Sequence, residues 1–367
     1  MEPIYVTKPF LPPIEEYITY LRRIWETSTL TNFGPLHQEL EYALKKRFEW
    51  NNVSLCANGH LALEIALKSL NLTSGGEIIT TPFTFVSTIS AIVNQGFTPV
   101  FCDVCDGFTI DTERIEPLIT EKTVAILPVH VYGVPCDVIH IEQIARKHSL
   151  SVLYDAAHAF GVKIGGVDIA KYGDISMFSF HATKLFHTIE GGSLVYTNDE
   201  LKKTIELSKN FGISGPESID LVGMNAKMNE FQAAMGLLSL KYFSENVTKR
   251  KALHDRYLRK LENISEITVK RVRENTTSNY SYMPVLLESK SKRDGVFDYL
   301  SENNVFSRKY FYPSISKVGC YKKYLRGNSL EVAEDTADRV ITLPLYHSLE
   351  FSQVDYICDI IHRALYR

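Results

Sequence analysis

The sequence has no excess of basic residues. It holds 40 lysines and arginines against 43 aspartates and glutamates, which gives a formal net charge of −3 over 367 residues. A chain without a positive balance lacks the electrostatic attraction that binds nucleic acids and anionic membranes. We therefore expect no nucleic-acid or membrane partner, and any anionic ligand must be bound by a local site.

Long apolar runs and a disulfide pattern are also missing. No stretch supplies the roughly 18 uninterrupted apolar residues of a membrane span, and "MEPIYVTKPFLPP" has no apolar signal-peptide core. The six cysteines are scattered, mostly in apolar runs, which favours reduced intracellular thiols. Cys102 and Cys105 have CxxC spacing but no second ligand pair. We expect a cytoplasmic protein without a metal site.

Seven short apolar runs occupy residues 53 to 200, separated by helix-length segments. They are "VSLCA", "EIITTP", "TPVFCDV", "TVAILPVH", "SVLYDAA", "ISMFSF" and "GGSLVYT". Near-continuous apolar runs that alternate with helices are typical of a mainly parallel sheet covered on both faces. The sequence therefore predicts an α/β fold.

The regions on either side of these runs differ in character. Leu36, Leu40, Leu44 and Phe48 recur every four residues and predict a helix with one apolar face. The stretch that begins "NEFQAAMGLLSLKYF" predicts one or two long helices, and mixed strands and helices follow beyond about residue 264. We divide the chain into an N-terminal arm with a large α/β domain, residues 1–245, and a small α+β domain, residues 246–367.

One lysine stands in an unusual setting. "FSFHATKLFHTIEGG" surrounds Lys184 with hydroxyls, histidines and a Gly-Gly pair. A lysine that acts as a Schiff-base nucleophile must be partly desolvated so that its amine can lose a proton near neutral pH, and the apolar residues beside Lys184 supply that setting. Alone, the pattern does not separate such a lysine from an ordinary surface charge.

Other polar positions match what pyridoxal phosphate requires of a protein. Gly59 and His60 open a helix pattern whose N–H groups could bind a phosphate, although the same residues make an ordinary turn. Asp155 ends an apolar strand, where it could keep a pyridine nitrogen protonated or instead cap a helix. His158 follows three residues later, within reach of a ring hydroxyl.

Two weaker signals complete the set. "TTPFTFVST" presents Phe83 and Phe85 in alternation, so that one of them could stack on a flat cofactor while core packing is the ordinary fate of both. Ser179 lies five residues before Lys184 and could donate a hydroxyl to the phosphate. The order along the chain, with glycine turn, aromatic, aspartate, serine and lysine each near a strand end, favours the functional interpretation.

The chain resembles the sugar aminotransferases of the aspartate aminotransferase superfamily (fold type I), which act on nucleotide-linked keto sugars. The resemblance rests on "LTNFGP", "ANGHLAL", "TPFTFVST", "PVHVYGVPCD", "YDAAHAFG", "FSFHATKLFHTIEGG", "GMNAKMNEFQAA" and "RKYFYP". It implies an aspartate aminotransferase-like fold with a large, mainly parallel seven-stranded sheet between helices and a smaller C-terminal α+β domain. It also implies pyridoxal 5'-phosphate as cofactor and a homodimer with shared active sites.

The resemblance assigns roles around the cofactor ring. Lys184 would bond to the cofactor and later move the proton between the cofactor and the sugar carbon. Asp155 would pair with the pyridine nitrogen, and His158 would contact the ring hydroxyl. Phe85 would stack on the ring.

Further roles concern phosphate groups. Gly59, His60 and Ser179 would hold the cofactor phosphate, and Asn225 in "GMNAK" would reach into the active site of a second subunit. Two positions depart from the family pattern. His60 stands where Thr or Ser is common, and Lys227 stands where Arg is common, which replaces a bidentate fork by a point charge at a phosphate of the nucleotide sugar.

"HATK" followed by "EGG" resembles the branch that aminates the sugar at its 4-position, whereas the 3-position branch carries a Tyr-Pro-x-Lys type of segment. The resemblance implies transfer of the amino group of L-glutamate to C4 of dTDP-4-keto-6-deoxy-D-glucose, a step of deoxysugar biosynthesis such as that for O-antigen lipopolysaccharide. Thr31, Tyr310 and Tyr312 are candidate substrate contacts beside Lys227, and aromatic packing is an equal alternative for the two tyrosines.

Three alternatives remain open. The substrate could be another keto sugar nucleotide, UDP- or GDP-linked or with a 3-keto group. The same fold also hosts pyridoxamine-dependent sugar dehydratases, but these relatives have histidine in place of the lysine, so Lys184 argues against them. A non-catalytic regulator that binds pyridoxal phosphate should show a DNA-binding extension or an eroded Lys-Asp pair, and the sequence shows neither.

Overall fold

Most of the chain folds around one large sheet. The computed structural model describes residues 2–366. Its strands are β1 (Ile4–Tyr5), β2 (Asn52–Cys56), β3 (Glu77–Thr80), β4 (Thr98–Phe101), β5 (Thr123–Leu127), β6 (Ser151–Asp155), β7 (Lys163–Ile164), β8 (Val167–Asp168), β9 (Ile175–Ser179), β10 (Gly192–Tyr196), β11 (Ile213–Gly215), β12 (Ser218–Ile219), β13 (Ile267–Val269), β14 (Thr276–Thr277), β15 (Met283–Leu287), β16 (Val305–Phe306) and β17 (Val340–Leu343).

The helices cover this sheet and build the C-terminal part. They are α1 (Ile14–Thr27), α2 (Pro35–Phe48), α3 (Gly59–Ser69), α4 (Val86–Asn94), α5 (Val138–His148), α6 (Glu200–Ser208), α7 (Glu230–Lys241), α8 (Phe243–Leu261), α9 (Lys290–Glu302), α10 (Glu331–Arg339) and α11 (Phe351–Leu365). None of the helices between residues 2 and 366 is long and apolar enough to cross a membrane.

The large sheet has seven strands in the order β2-β10-β9-β6-β5-β3-β4. Strand β10 runs antiparallel to both of its neighbours, and the other adjacent pairs are parallel. These strands are the seven apolar runs of the sequence, and most of their residues are buried because helices pack on both faces. The predicted α/β fold with a mainly parallel seven-stranded sheet is confirmed.

The helix predictions also agree with the structure. The four residues of the apolar repeat are buried on one face of α2, which packs against α7. The long helical stretch forms two helices, α7 and α8, that meet at Tyr242. A small antiparallel sheet, β13-β15-β17, follows and packs with α8, α9 and α11 around its own apolar core.

The division into residues 1–245 and 246–367 remains a proposal. Position 245 lies in the first turn of α8, which is continuous to Leu261. Strand β1 pairs with β16, and Ile4 is buried in the C-terminal core, so the first strand of the chain packs with the small domain. Residues 1 and 367 lie outside the described residues.

Candidate active site

The carboxyl ends of the parallel strands meet at one edge of the sheet and open into a cavity of about 690 Å³. Asp155 and Ser179 are the last residues of β6 and β9, and Gly59 begins α3 directly after β2. This is the edge at which open α/β sheets bind their ligands. The residues predicted from the sequence that line the cavity are Gly59, His60, Phe85, Asp155, His158, Ser179, Lys184 and Tyr310.

Lys184 lies in the turn that follows β9. Its backbone N–H donates to the carbonyl of His181 at 2.8 Å, which fixes the turn. Its Nζ donates to the hydroxyl of Tyr282 at 3.2 Å, inside the cavity. The amine is therefore directed into the cavity rather than into bulk solvent.

Asp155 is buried at the floor of the cavity. The hydroxyl of Thr88 donates to Oδ2 at 2.7 Å, and the backbone N–H of Ala157 donates to Oδ1 at 3.1 Å. Burial raises the pKa of this carboxyl, although the two hydrogen bonds and Lys184 oppose the rise. No helix begins at Asp155, so the helix-cap alternative is wrong. A buried carboxylate of this kind fits the protonated nitrogen of a pyridine ring, because that cation would compensate the lost hydration.

His158 is a neutral hydrogen-bond donor in this setting. Burial, and secondarily Lys184, lowers its pKa well below the ordinary range of histidine. The backbone N–H of Tyr132 donates to Nδ1 at 3.0 Å, which assigns the ring proton to Nε2. The imidazole can therefore donate one hydrogen bond to an oxygen of a bound ring.

The start of α3 approaches β9 and β10 very closely. Asn58 caps the helix, since its side chain accepts from the N–H of Leu61 at 2.9 Å. A Cβ on Gly59 would lie 3.0 Å from the Cβ of Ser179, and a Cβ on Gly192 would lie 2.8 Å from the carbonyl of Asn58. The two glycines thus bring the first N–H groups of the helix beside the Ser179 hydroxyl, an arrangement that fits a phosphate.

His60 contributes to this region through its backbone. Its Nδ1 is hydrogen-bonded to Ser87 Oγ at 2.8 Å, and its Nε2 lies 3.2 Å from Glu64. Because both ring nitrogens already have partners, the imidazole does not replace the hydroxyl of the family's Thr or Ser. The backbone N–H remains as the group that can meet a phosphate.

The two phenylalanines of "TPFTF" have different environments. Phe83 is completely buried in the core, whereas Phe85 is 58% exposed and lines the cavity. Of the pair, Phe85 is therefore the ring available to stack on a flat ligand.

Four predicted residues do not line the cavity within the described chain. Thr31 lies in the loop before α2, and Tyr312 packs its ring 4.5 Å from the Arg293 guanidinium, away from the cavity. Tyr312 is 39% exposed, and its role as a substrate contact stays a prediction. Lys227 Nζ donates to Asn210 Oδ1 at 2.7 Å and to Asn225 Oδ1 at 3.3 Å, so Asn225 and Lys227 form a separate polar cluster.

Several cavity residues were missed by the sequence interpretation. Thr84 lines the cavity, and its hydroxyl is hydrogen-bonded at 2.9 Å to that of Thr88 four residues later, which in turn donates to Asp155. Asn58 directly precedes Gly59, and Ser87 lies two residues after Phe85. Tyr282 comes from the C-terminal part of the chain and carried no local signal.

Comparison with known proteins places the chain among aminotransferases. The profile of the DegT/DnrJ/EryC1/StrS aminotransferase family matches residues 13–362. A dTDP-4-amino-4,6-dideoxy-D-glucose transaminase from Shigella dysenteriae is 42% identical over 98% of both chains. The solved structure of DesI with its TDP-sugar product has a TM-score of 0.94 and 29% identity, covering 100% of this chain and 94% of DesI.

A second solved structure bears on the cofactor. A sugar aminotransferase from Streptococcus pneumoniae in its PLP form has a TM-score of 0.92 and 26% identity, covering 99% of both chains. Because both solved structures match nearly the whole chain, the predicted aspartate aminotransferase-like fold is confirmed.

Proposed function

The chain belongs to the DegT/DnrJ/EryC1/StrS aminotransferase family, and on that premise we propose that it transfers the amino group of L-glutamate to C4 of dTDP-4-keto-6-deoxy-D-glucose. The products are dTDP-4-amino-4,6-dideoxy-D-glucose and 2-oxoglutarate. Enzymes of this family are PLP-dependent sugar aminotransferases, and so is this chain. The observation that carries the proposal is the joint presence of Lys184 and buried Asp155 in one cavity at the strand ends.

The proposed cofactor contacts follow from the cavity. Asp155 would hold the pyridine nitrogen, and His158 would donate Nε2–H to the ring oxygen. Phe85 would cover one ring face. When bound, pyridoxal phosphate supplies an electron-withdrawing pyridinium ring that stabilises negative charge at the substrate carbon.

The phosphate of the cofactor would lie at the start of α3. The N–H groups of Gly59 and His60 and the hydroxyl of Ser179 would meet it there. In support, Gly59 approaches Ser179 so closely that a Cβ at position 59 would press against the Ser179 side chain.

Lys184 would have two duties. Through its amine, Lys184 would hold the cofactor covalently in the resting enzyme. Once released, the same amine would take a proton from Cα of glutamate, and in the second half-reaction it would deliver a proton to C4 of the sugar. Since the amine enters the cavity from one side, the proton would reach C4 from one face and would set the configuration of the new amine.

We further propose a homodimer with shared active sites. Asn225 and Lys227 lie outside the cavity of their own chain, and apolar side chains such as Phe211, Ile213 and Val222 are exposed nearby in sequence. Exposed apolar side chains of this kind are typical of subunit contacts. Mixing Lys184→Ala and Asn225→Ala chains should recover activity that neither variant has alone, because a mixed dimer would contain one intact site.

In such a dimer, Lys227 would meet a phosphate of the nucleotide in the partner's site. Burial and the nearby Lys209 lower the pKa of Lys227, and a bound phosphate would oppose that effect. Thr31, Tyr310 and Tyr312 are the other proposed substrate contacts; of these, Tyr310 lines the cavity of its own chain, and Thr31 and Tyr312 lie outside it. We propose that the reaction takes place in the cytoplasm and supplies an aminodeoxysugar for O-antigen lipopolysaccharide.

An amination assay on a panel of keto sugar nucleotides tests the substrate. The purified enzyme should convert dTDP-4-keto-6-deoxyglucose with L-glutamate, and NMR of the product should show an amine at C4. Amination of a UDP- or GDP-linked sugar but not of the dTDP sugar would contradict the substrate and leave the reaction class standing.

The variant Lys184→Ala tests the reaction class. It should lose turnover and also the visible absorbance that depends on the bond between Lys184 and the cofactor. An unchanged spectrum and activity in this variant would contradict the assignment of Lys184. Failure of glutamate to bleach the yellow wild-type protein would instead favour a non-catalytic regulator.

A further inference from the structure

Tyr282 is the residue whose side chain contacts the amine of Lys184. It lies immediately before β15, 98 residues after Lys184, in the part of the chain that forms the small antiparallel sheet. Its hydroxyl accepts from Lys184 Nζ at 3.2 Å and lies inside the cavity. Tyr282, from the C-terminal part of the chain, therefore lies beside Lys184, which follows a strand of the large sheet.

The turn that carries Tyr282 is fastened to the loop behind Asp155. Asn279 is buried, and its side-chain amide donates to the carbonyls of His158 at 2.8 Å and Phe160 at 3.0 Å. The hydroxyl of Ser281 donates to the same carbonyl of His158 at 2.9 Å. The position of Tyr282 is thus fixed relative to Asp155 and His158, which are proposed to contact the nitrogen and the hydroxyl of the cofactor ring.

A second support comes from α8. The guanidinium of Arg250 donates to the carbonyls of Ser281 at 3.1 Å and Tyr280 at 3.5 Å. Burial lowers the pKa of Arg250 to about 10, so the group remains charged at neutral pH. The backbone just before Tyr282 is therefore held from two directions.

The ring of Tyr282 is also confined. Its centroid lies 4.6 Å from that of His158 and 5.7 Å from that of Tyr132. Aromatic neighbours at these distances restrict rotation of the side chain. The hydroxyl consequently has a fixed place, whereas the lysine that it meets has a long flexible side chain.

We propose that Tyr282 is a positioning residue for Lys184: its hydroxyl holds the lysine amine whenever the amine is not bonded to the cofactor. This inference rests on the proposed role of Lys184. An amine held at one point of the cavity wall returns to the same place after each proton transfer, which keeps the donor and acceptor atoms within hydrogen-bond reach. Without the hydroxyl, the amine would sample several rotamers.

Tyr282→Phe tests this in the cofactor-free enzyme. We expect Lys184 to react at least threefold faster with an amine-acylating reagent, measured by mass spectrometry of the peptide that contains it, because the amine is no longer held by a hydrogen bond. Exposed lysines in the same digest serve as the internal reference. An equal or slower rate for Lys184 would overturn the proposal, and this readout requires no sugar substrate.

Tyr257→Phe is the matched control. Tyr257 is buried in the C-terminal core and donates to the carbonyl of Pro344 at 3.0 Å, so this variant also loses a tyrosine hydroxyl that is hydrogen-bonded. Its Lys184 reactivity should equal that of the wild type. A matching increase in Tyr257→Phe would show that general loosening, not the contact with Lys184, causes the effect.

Kinetics separate positioning from substrate binding. In Tyr282→Phe, kcat should fall about tenfold with little change in KM, and the isotope effect with glutamate deuterated at Cα should rise because proton transfer becomes slower. A higher KM with unchanged kcat would overturn the proposal by making Tyr282 a substrate contact.

Asn279→Ala provides an independent variant should Tyr282→Phe fold poorly. It keeps the hydroxyl but removes its support, so it should also increase the reactivity of Lys184. Unchanged reactivity in this variant would contradict the positioning argument. If no keto sugar were aminated by the wild type, the proposed function would fail while the lysine reactivity could still be measured.

Discussion

At the residue scale, the environment of Asp155 determines what the cavity can do. Its carboxylate is almost completely buried, no lysine or arginine among the described residues lies in ion-pair contact with it, and the charge of Lys184 opposes the rise of its pKa only in part. Burying a carboxylate without a cation is costly, and the hydroxyl of Thr88 and the N–H of Ala157 compensate only part of the lost hydration. The site therefore favours a ligand that presents a positive N–H group to this position.

Asp155→Asn should lower kcat by roughly two orders of magnitude or more, because an amide cannot keep a pyridine nitrogen protonated. The substitution changes volume very little, so the fold should persist. Steady-state kinetics and the cofactor absorbance would measure the effect. Thr88→Val serves for comparison. It removes one hydrogen bond to the carboxylate and should lower kcat only roughly tenfold. Wild-type turnover in Asp155→Asn would contradict the proposed role.

At the element scale, the packing of a helix start against two strands forms the proposed phosphate site. Gly192 opens β10 and pairs in register with Cys56 of β2 and Ser179 of β9. The absence of a side chain at this position lets the turn at Asn58 lie directly over the sheet. Gly192 is the second residue of the Gly-Gly pair that follows Lys184 in the sequence, and its close approach to Asn58 explains why a glycine stands there.

Gly192→Ala should weaken cofactor binding by roughly tenfold, an effect of about 1.4 kcal/mol. The new Cβ would lie 2.8 Å from the backbone of Asn58 and Gly59, which must then move and displace the N–H groups of α3. Titration of the cofactor-free enzyme with pyridoxal phosphate measures the dissociation constant. Gly295→Ala is the control, since nothing lies within 4 Å of a Cβ there and α9 should accept it. An unchanged constant in Gly192→Ala would contradict this account.

The elements also explain how much the sequence could predict. Asp155 is predictable because a polar residue that ends a buried apolar strand lies at the ligand-binding edge of a parallel sheet, and Ser179 is predictable from its place five residues before Lys184. The seven strands were identified by the same alternation of apolar runs and helices. These inferences need only local pattern and a general rule of sheet topology.

Tyr282 could not be predicted in the same way. Its contact with Lys184 depends on hydrogen bonds from Asn279 and Ser281 to a loop about 120 residues earlier in the chain. The separation of Tyr312 from the cavity likewise depends on its packing against Arg293, which is set by the tertiary arrangement. Local pattern contains neither relation.

At the scale of the whole molecule, buried histidines couple stability to pH. Burial lowers the pKa values of His158, His187 and His254, and that of His130 to about 3. His130 accepts from the N–H of Cys136 at 3.1 Å through Nδ1, and its own backbone N–H donates to the carbonyl of Asp155 at 3.0 Å. It therefore supports the floor of the cavity as a neutral ring.

The sign of the effect follows from the two states. Between about pH 3 and pH 6.5 the unfolded chain binds a proton at His130 that the folded chain does not, so the free energy of unfolding rises with pH in this window. Above about pH 6.5 neither state binds this proton and His130 causes no loss of stability; the free energy of unfolding then falls as the pH falls below this value. At pH 5, His130 alone should cost about 2 kcal/mol relative to neutral pH.

His130→Asn should reduce this dependence. The amide oxygen can take the place of Nδ1 as acceptor from Cys136, while asparagine does not titrate. Urea unfolding at saturating pyridoxal phosphate, at pH 7 and pH 5, should show a loss of stability smaller by about 2 kcal/mol than in the wild type, even though the variant starts from a lower value. His362→Asn is the control, because His362 is exposed and its replacement leaves the surroundings of His130 unchanged, so this variant should lose as much stability between pH 7 and pH 5 as the wild type. If His130→Asn lost as much stability between pH 7 and pH 5 as the wild type, the buried imidazole would not resist protonation, contrary to what its surroundings indicate.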